Sequence, residues 1–140
     1  MRMSEHFRLF PLRDFGDERG SMCVLEGGQT LPFEIQRIFY DFHTTGEDPR
    51  GNHANRCSQF AFISLAGSCT VDADDGNEKQ SFLLDDPRKL LWLDKMTWKT
   101  MHSFSPDNVL LVLSDCHYDA NEYIRDYDEF LALCRERKTP

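Results

Sequence analysis

Apolar residues in this chain fall in short blocks, separated by turn residues roughly every 8–12 positions, the spacing of all-β sandwiches and barrels. Strands are predicted over residues 7–12, 22–25, 33–42, 60–65, 69–73, 79–84, 90–93, 97–104 and 109–113. The run Asp74-Asp75-Gly76-Asn77 is a hairpin signal, because Asp-Gly supplies the positive φ angles of a tight turn. Residues 43–49 read as a polar loop. The pattern changes at Tyr118-Asp119. Asp119 is placed to cap a helix with Glu122 as its capping-box partner, and Ile124, Tyr127, Leu131 and Cys134 recur at helical spacing. The tail 135–140 is polar and is expected to fray. No repeat or linker composition interrupts this order. The expectation is one all-β domain over residues 1–140, a jelly-roll barrel with a C-terminal helix.

One polar stretch stands out against that pattern. Arg50-Gly51-Asn52-His53-Ala54-Asn55-Arg56 leads into the apolar run 60–65. Alternate residues of a strand share a face, so His53 and Asn55 should point the same way, into the barrel. Metal-binding jelly rolls use His-x-His, a Glu four residues on and a His from a later strand. Here Asn55 and Gln59 stand where the second imidazole and the carboxylate would be. Amides are poor ligands for transition metals, so no bound metal is expected. A lone neutral imidazole suits proton transfer instead, because its reference pKa lies near neutrality.

Composition limits the partners. The 140 residues include 40% apolar and 12% aromatic positions, enough for a packed core, and the formal net charge is −8. That charge argues against nucleic-acid or anionic-membrane binding. A phosphorylated ligand would need local cations, and Arg19, Arg37, Arg50 and Arg56 lie at or beside predicted strand ends. Phe39, Tyr40, Trp92 and Trp98 could stack on a base or sugar, although core packing is the favoured reading for each. On the strand 97–104, Trp98, Thr100 and His102 share a face, which makes His102 a candidate second pocket group. Five cysteines without a CxxC pair, and no apolar run of 18 residues or signal-like N-terminus, suggest reduced thiols in a cytoplasmic protein.

Several stretches together resemble a known family. They are Arg19-Gly20-Ser21, LPFEIQRIFY at 31–40, PRGNHAN at 49–55, Gly67-Ser68-Cys69, Asp75-Gly76-Asn77, Trp98 with Met101, residues 107–113, and above all YDANEYIRDYDEF at 118–130. The chain is similar along nearly its whole length to the sugar 3,4-ketoisomerases acting on dTDP-4-keto-6-deoxyglucose, small cupin-fold enzymes of deoxyaminosugar biosynthesis. The resemblance implies a homodimer of jelly rolls, each holding a dTDP-sugar, and an isomerase that needs no metal or other cofactor. It implies that the ketone moves from C4 to C3 through an enediol, with His53 taking the C3 proton and a proton delivered to C4. It also implies sugar and phosphate contacts from Arg19, Arg37 and Arg50, with Tyr40 near the sugar. Arg56, Gln59, Trp98 and His102 complete the expected substrate-binding set, and Asn55 joins His53 and Tyr40 in the expected catalytic set. Asn55 stands where much of the family has a second His. An amide can hold O3 or O4 of the sugar but cannot relay a proton at neutral pH. The relay would then fall to water, Tyr40, His102 or the substrate itself. Two other readings stay open: an epimerase of the same nucleotide sugars, and a non-catalytic cupin that binds them.

Overall fold

The fold is taken from a computed structural model that describes residues 4–45 and 48–138. Residues 46 and 47 of the expected 43–49 loop, residues 1–3, and the last two residues of the expected fraying tail lie outside the described residues. The described chain forms β1 (Phe7–Pro11), β2 (Arg37–Phe42), β3 (Arg50–Asn55), β4 (Phe60–Ala66) and β5 (Cys69–Asp74). It continues with β6 (Lys79–Leu84), β7 (Lys89–Leu93), β8 (Trp98–His102), β9 (Val109–Ser114) and β10 (Tyr123–Ile124). It ends in α1 (Tyr127–Lys138). Two five-stranded sheets result, ordered β1-β7-β4-β9-β2 and β10-β3-β8-β5-β6. All the pairings are antiparallel. The expected jelly roll with a terminal helix is the fold observed.

The sheets pack face to face because each strand turns alternate apolar side chains inward. Phe60, Phe62, Val71, Ala73, Leu91, Leu93, Leu110 and Val112 fill the space between them. The outer face of the first sheet carries a second apolar layer of Ala61, Ile63, Leu90 and Leu113. Leu12, Leu31 and Phe33 cover it from the N-terminal segment. The outer face of the second sheet is covered by α1, whose Phe130 and Cys134 pack on Ala54 and Ile124.

Two predicted strands fall in this cover. Residues 22–25 form no strand, and the strand expected from residue 33 begins at Arg37. Cys23, Leu25, Phe33 and Ile35 bury their side chains on the outer sheet face, so their apolar character records burial without ladder pairing. The C-terminal turn also differs. Asp119 caps only a 3-10 turn, Ala120–Glu122, by accepting from the Asn121 N–H at 2.9 Å. Glu122 is not a capping partner, because its side chain turns into the protein interior. The helix starts later, where Asp126 Oδ1 accepts from the Glu129 N–H at 3.0 Å.

One irregularity shapes the interior. The β3–β8 register slips between Gly51 and His53, and Gly51 (φ 88) and Asn52 (φ 57) both occupy left-handed conformations. At Gly51 a Cβ would lie 2.9 Å from the Lys99 carbonyl oxygen and 3.1 Å from Met101 Sδ. Gly51→Ala therefore combines backbone strain with a close contact. It should lower stability by about 1–3 kcal/mol, read as a reduced urea midpoint at unchanged m-value.

Candidate active site

Past the bulge, His53 pairs in register with Lys99 across β3 and β8. Directly opposed residues of an antiparallel pair share a face, so both side chains enter the barrel. They line a cavity of about 210 Å³ with Phe39, Asp41, Arg50, Gly51, Phe60, Phe62, Met101 and Tyr123. Among the described residues three larger hollows, of about 360, 480 and 540 Å³, lie elsewhere on the surface; the two largest have no histidine or lysine in their lining, and the third has His43 without a lysine or arginine beside it. The convergence of titratable groups identifies the smaller cavity as the candidate site.

The bulge turns the Gly51 carbonyl back toward the imidazole, and His53 Nδ1 lies 3.1 Å from it. A carbonyl only accepts, so Nδ1 carries the proton and donates. In the neutral ring Nε2 then bears the free lone pair. Burial, with smaller contributions from the charges of Lys99 and Arg125, pulls the His53 pKa down to about 4, although the Gly51 hydrogen bond opposes them. His53 is therefore a neutral base at pH 7. The Tyr123 ring lies beside it, 4.8 Å between centroids.

Lys99 is almost fully enclosed, at 2% exposure. Its Nζ donates to Asn55 Oδ1 at 3.0 Å and sits 4.6 Å from the centre of the Phe60 ring. Asn55 Nδ2 donates in turn to Glu122 Oε1 at 2.6 Å, and the Ser58 hydroxyl donates to the same oxygen. Burial drives the Lys99 pKa down to about 7. Glu122 opposes this shift, and Arg37 adds to it.

Beside these groups lies the guanidinium of Arg37, over the rings of Phe39, Phe60 and Tyr118. Arg37 shares the inward face of β2 with Phe39 and Asp41. Its Cζ lies 5.5 Å from the Phe39 ring centre and 5.8 Å from that of Phe60. Its Nε and Nη2 are buried with no hydrogen-bond partner. Buried guanidinium donors are costly unless an acceptor reaches them, so the arrangement suits an anionic ligand. Arg50, half exposed, lines the cavity with Nη2 3.3 Å from Asp41 Oδ1. Among the described residues no three His, Cys, Asp or Glu side chains converge as a metal-binding group.

The structure thus brings His53 and Arg50 into the cavity wall, with Arg37 beside it. Asn55 points inward as expected, but both ends of its amide are held by Lys99 and Glu122. The other expected residues lie elsewhere. Tyr40 is 60% exposed on the outer face of β2, because it alternates with Phe39 and Asp41. Trp98 and His102 occupy the outer face of β8. There Trp98 packs against Tyr127 and Phe130 of α1, and His102 Nε2 lies 2.9 Å from Asp72 Oδ2. Gln59 is clamped between Asp115 and the Trp92 indole N–H. Arg56 pairs with Glu129 at 3.4 Å, and Arg19 with Asp17 at 2.7 Å on the surface. Sequence reading missed Lys99, Tyr123, Asp41 and Glu122. For Lys99 the signal was available: it shares strand parity with Thr97 and Met101, and both are buried. The face bearing Trp98 and His102 looked richer in ligand-binding chemistry, and nothing local revealed that α1 covers it.

A two-sheet jelly roll of cupin type thus opposes a neutral imidazole and a buried lysine in its barrel, two groups able to take up and return a proton. The sequence profile of the family described as "FdtA: WxcM-like, C-terminal" matches residues 5–135. The chain is 44% identical over 114 residues to a TDP-4-oxo-6-deoxy-alpha-D-glucose-3,4-oxoisomerase of Aneurinibacillus thermoaerophilus, covering 81% of this chain and 82% of that one. Among solved structures it is similar to WlaRA, a TDP-fucose-3,4-ketoisomerase of Campylobacter jejuni. That match has 41% identity and a TM-score of 0.87, covering 91% and 94% of the two chains. It is also similar to a variant of the Thermoanaerobacterium thermosaccharolyticum 3,4-ketoisomerase QdtA in complex with TDP-4-keto-6-deoxyglucose. There the identity is 28% and the TM-score 0.92, covering 99% of this chain and 100% of that one. The chain belongs to the WxcM-like, C-terminal family, FdtA.

The Lys99 environment has a measurable consequence for stability. Its folded pKa of about 7 lies below the unfolded value of 10.5. Between those limits the unfolded chain holds more protons, so stability rises with pH. Lys99 should contribute a slope of up to about 1.4 kcal/mol per pH unit through this window. Urea midpoints of the wild type at pH 7 and pH 9 should show the rise, and Lys99→Met should remove it.

Proposed function

We propose that this chain is an isomerase that converts TDP-4-keto-6-deoxy-D-glucose to the TDP-3-keto-6-deoxyhexose. The observation that carries the reading is His53, a neutral base that lines a cavity with its Nδ1 engaged by Gly51 and its Nε2 unengaged, beside a guanidinium with two buried donors lacking acceptors. The names of the similar proteins support the substrate and the reaction class. A C3–H bond beside a C4 ketone is acidic. Nε2 of His53 takes that proton, an enediol forms, and a proton returns at C4 as the C3 ketone appears. The Arg37 donors and the half-exposed Arg50 receive anionic oxygens of the diphosphate. Aromatic faces of Phe39 and Tyr123 flank the sugar.

The protein works in the cytoplasm as a homodimer. Strand β2 is an edge strand, and its outer face presents Ile38, Tyr40 and Phe42, which are 59%, 60% and 55% exposed. Such an apolar strip on a sheet edge favours a second copy of the same surface. Light scattering should give a dimer mass for the wild type, and Tyr40→Arg should shift it toward a monomer. A monomeric wild type would remove the dimer from this proposal.

Isomerisation is tested by incubating the protein with TDP-4-keto-6-deoxyglucose in D₂O and following the sugar by NMR. The expected product is the 3-keto sugar with deuterium entering at C4. Deuterium at C3 or C5 in a wild-type reaction that forms no 3-keto product would point to an epimerase, and binding without exchange to a non-catalytic module. His53→Ala should cut turnover at least about a hundredfold while TDP binding persists. Near-normal turnover in that variant would remove His53 as the base.

A further inference from the structure

Ketone transfer from C4 to C3 needs two proton movements. One proton passes from C3 to C4, and a second passes from O3 to O4. His53 accounts for the first. The groups expected to handle the second do not reach the cavity or are already engaged. Tyr40 and His102 face away from the barrel. Asn55 has its oxygen on Lys99 and its nitrogen on Glu122, and an amide does not exchange protons at neutral pH.

Resting on the isomerase reading, we propose that Lys99 relays the proton between the two sugar oxygens. It is the register partner of His53 on the same inward face, and it lines the same cavity. Among the described residues Nζ has one hydrogen bond, to Asn55, which leaves two N–H donors for a ligand. The Asn55–Glu122 chain holds the ammonium in place. Glu122 from the 3-10 turn favours its charged form, while burial and Arg37 from β2 favour the neutral amine. His53 faces it from β3, and Asp41 and Arg50 stand in the same wall. With a pKa of about 7, both forms are populated at neutral pH.

The step balances without an oxidant. His53 Nε2 removes the C3 proton, the C–H electrons become the C3=C4 bond, and the carbonyl pair moves onto O4. The Lys99 ammonium gives O4 a proton and becomes an amine. The amine then takes the O3–H proton, the O3 pair forms the C3 carbonyl, and the C3=C4 electrons recover the His53 proton at C4. Both side chains end as they began.

Lys99→Arg separates the relay from simple charge. A guanidinium keeps the positive charge but does not release a proton at working pH. In D₂O with TDP-4-keto-6-deoxyglucose, Lys99→Arg should retain deuterium wash-in at C3 of the substrate within about tenfold of wild type. Its 3-keto product should fall at least about a hundredfold. Lys99→Met should lose product to the same extent. Each variant is first matched to wild type by circular dichroism. Product formation near wild type in a folded Lys99→Arg or Lys99→Met would overturn the relay. Loss of wash-in together with product in folded Lys99→Arg would overturn it too, by placing Lys99 in the first step. A hundredfold loss in Tyr123→Phe with Lys99→Arg active would give the relay to the phenol. A wild type that forms no product would instead refute the isomerase reading, with the wild-type arm reporting that failure separately.

Discussion

An ammonium group enclosed between two β-sheets is the constraint around which this molecule is arranged. Moving such a charge out of water costs several kcal/mol even after relaxation. Lys99 meets that cost through a single line of contacts: its Nζ to Asn55, Asn55 to Glu122, and Glu122 to the Ser58 hydroxyl. The line runs from β8 across β3 to the turn before β10 and to the loop between β3 and β4. It therefore ties the C-terminal segment to the barrel wall. The same charge helps to keep His53 neutral. What holds this end of the barrel together also sets the protonation state of its base.

The β3 bulge is the second half of that arrangement. Without the two left-handed residues, Gly51 and Asn52, the Gly51 carbonyl would continue in the ladder. With them it turns to His53 Nδ1, fixes the tautomer and leaves Nε2 unengaged. Asn52 itself is directed away from the cavity and accepts from the Thr100 hydroxyl at 3.0 Å. A local backbone irregularity and a distant buried charge thus act on one imidazole from opposite sides. Arg37, with two donors buried and unpaired, adds a demand for an acceptor that the protein does not meet itself.

Much of the fold was legible from period-two patterning and turn chemistry. β4, β5, β6, β7 and β9 fall within a residue or so of the predicted strands, since each couples an apolar face to a clear turn on either side. The misses share a cause. Cys23, Leu25, Phe33 and Ile35 are apolar because they blanket a sheet face, and a blanket has the composition of a strand without its hydrogen bonds. Glu122 matched a capping box by spacing, but a buried amide on β3 competed for its carboxylate and won. In the site, His53, Arg37 and Arg50 were accessible to inspection because each sits on the inward parity of its strand. Tyr40, Trp98 and His102 sit on the outward parity.

Alternation in a strand divides its residues into two sets; it does not say which set faces the interior. The sequence by itself determined the all-β order, the terminal helix, the family likeness and the stretch that carries the base. The tertiary structure decided the orientation of β2 and β8, because that depends on where α1 and the N-terminal segment lie down. Once α1 packs on Trp98, Lys99 has no direction left but the barrel. The asymmetry of His53 and Asn55 was visible in the chain. That Asn55 serves to hold a lysine is a property of packing alone, since Lys99 and Glu122 lie 44 and 67 residues away from it.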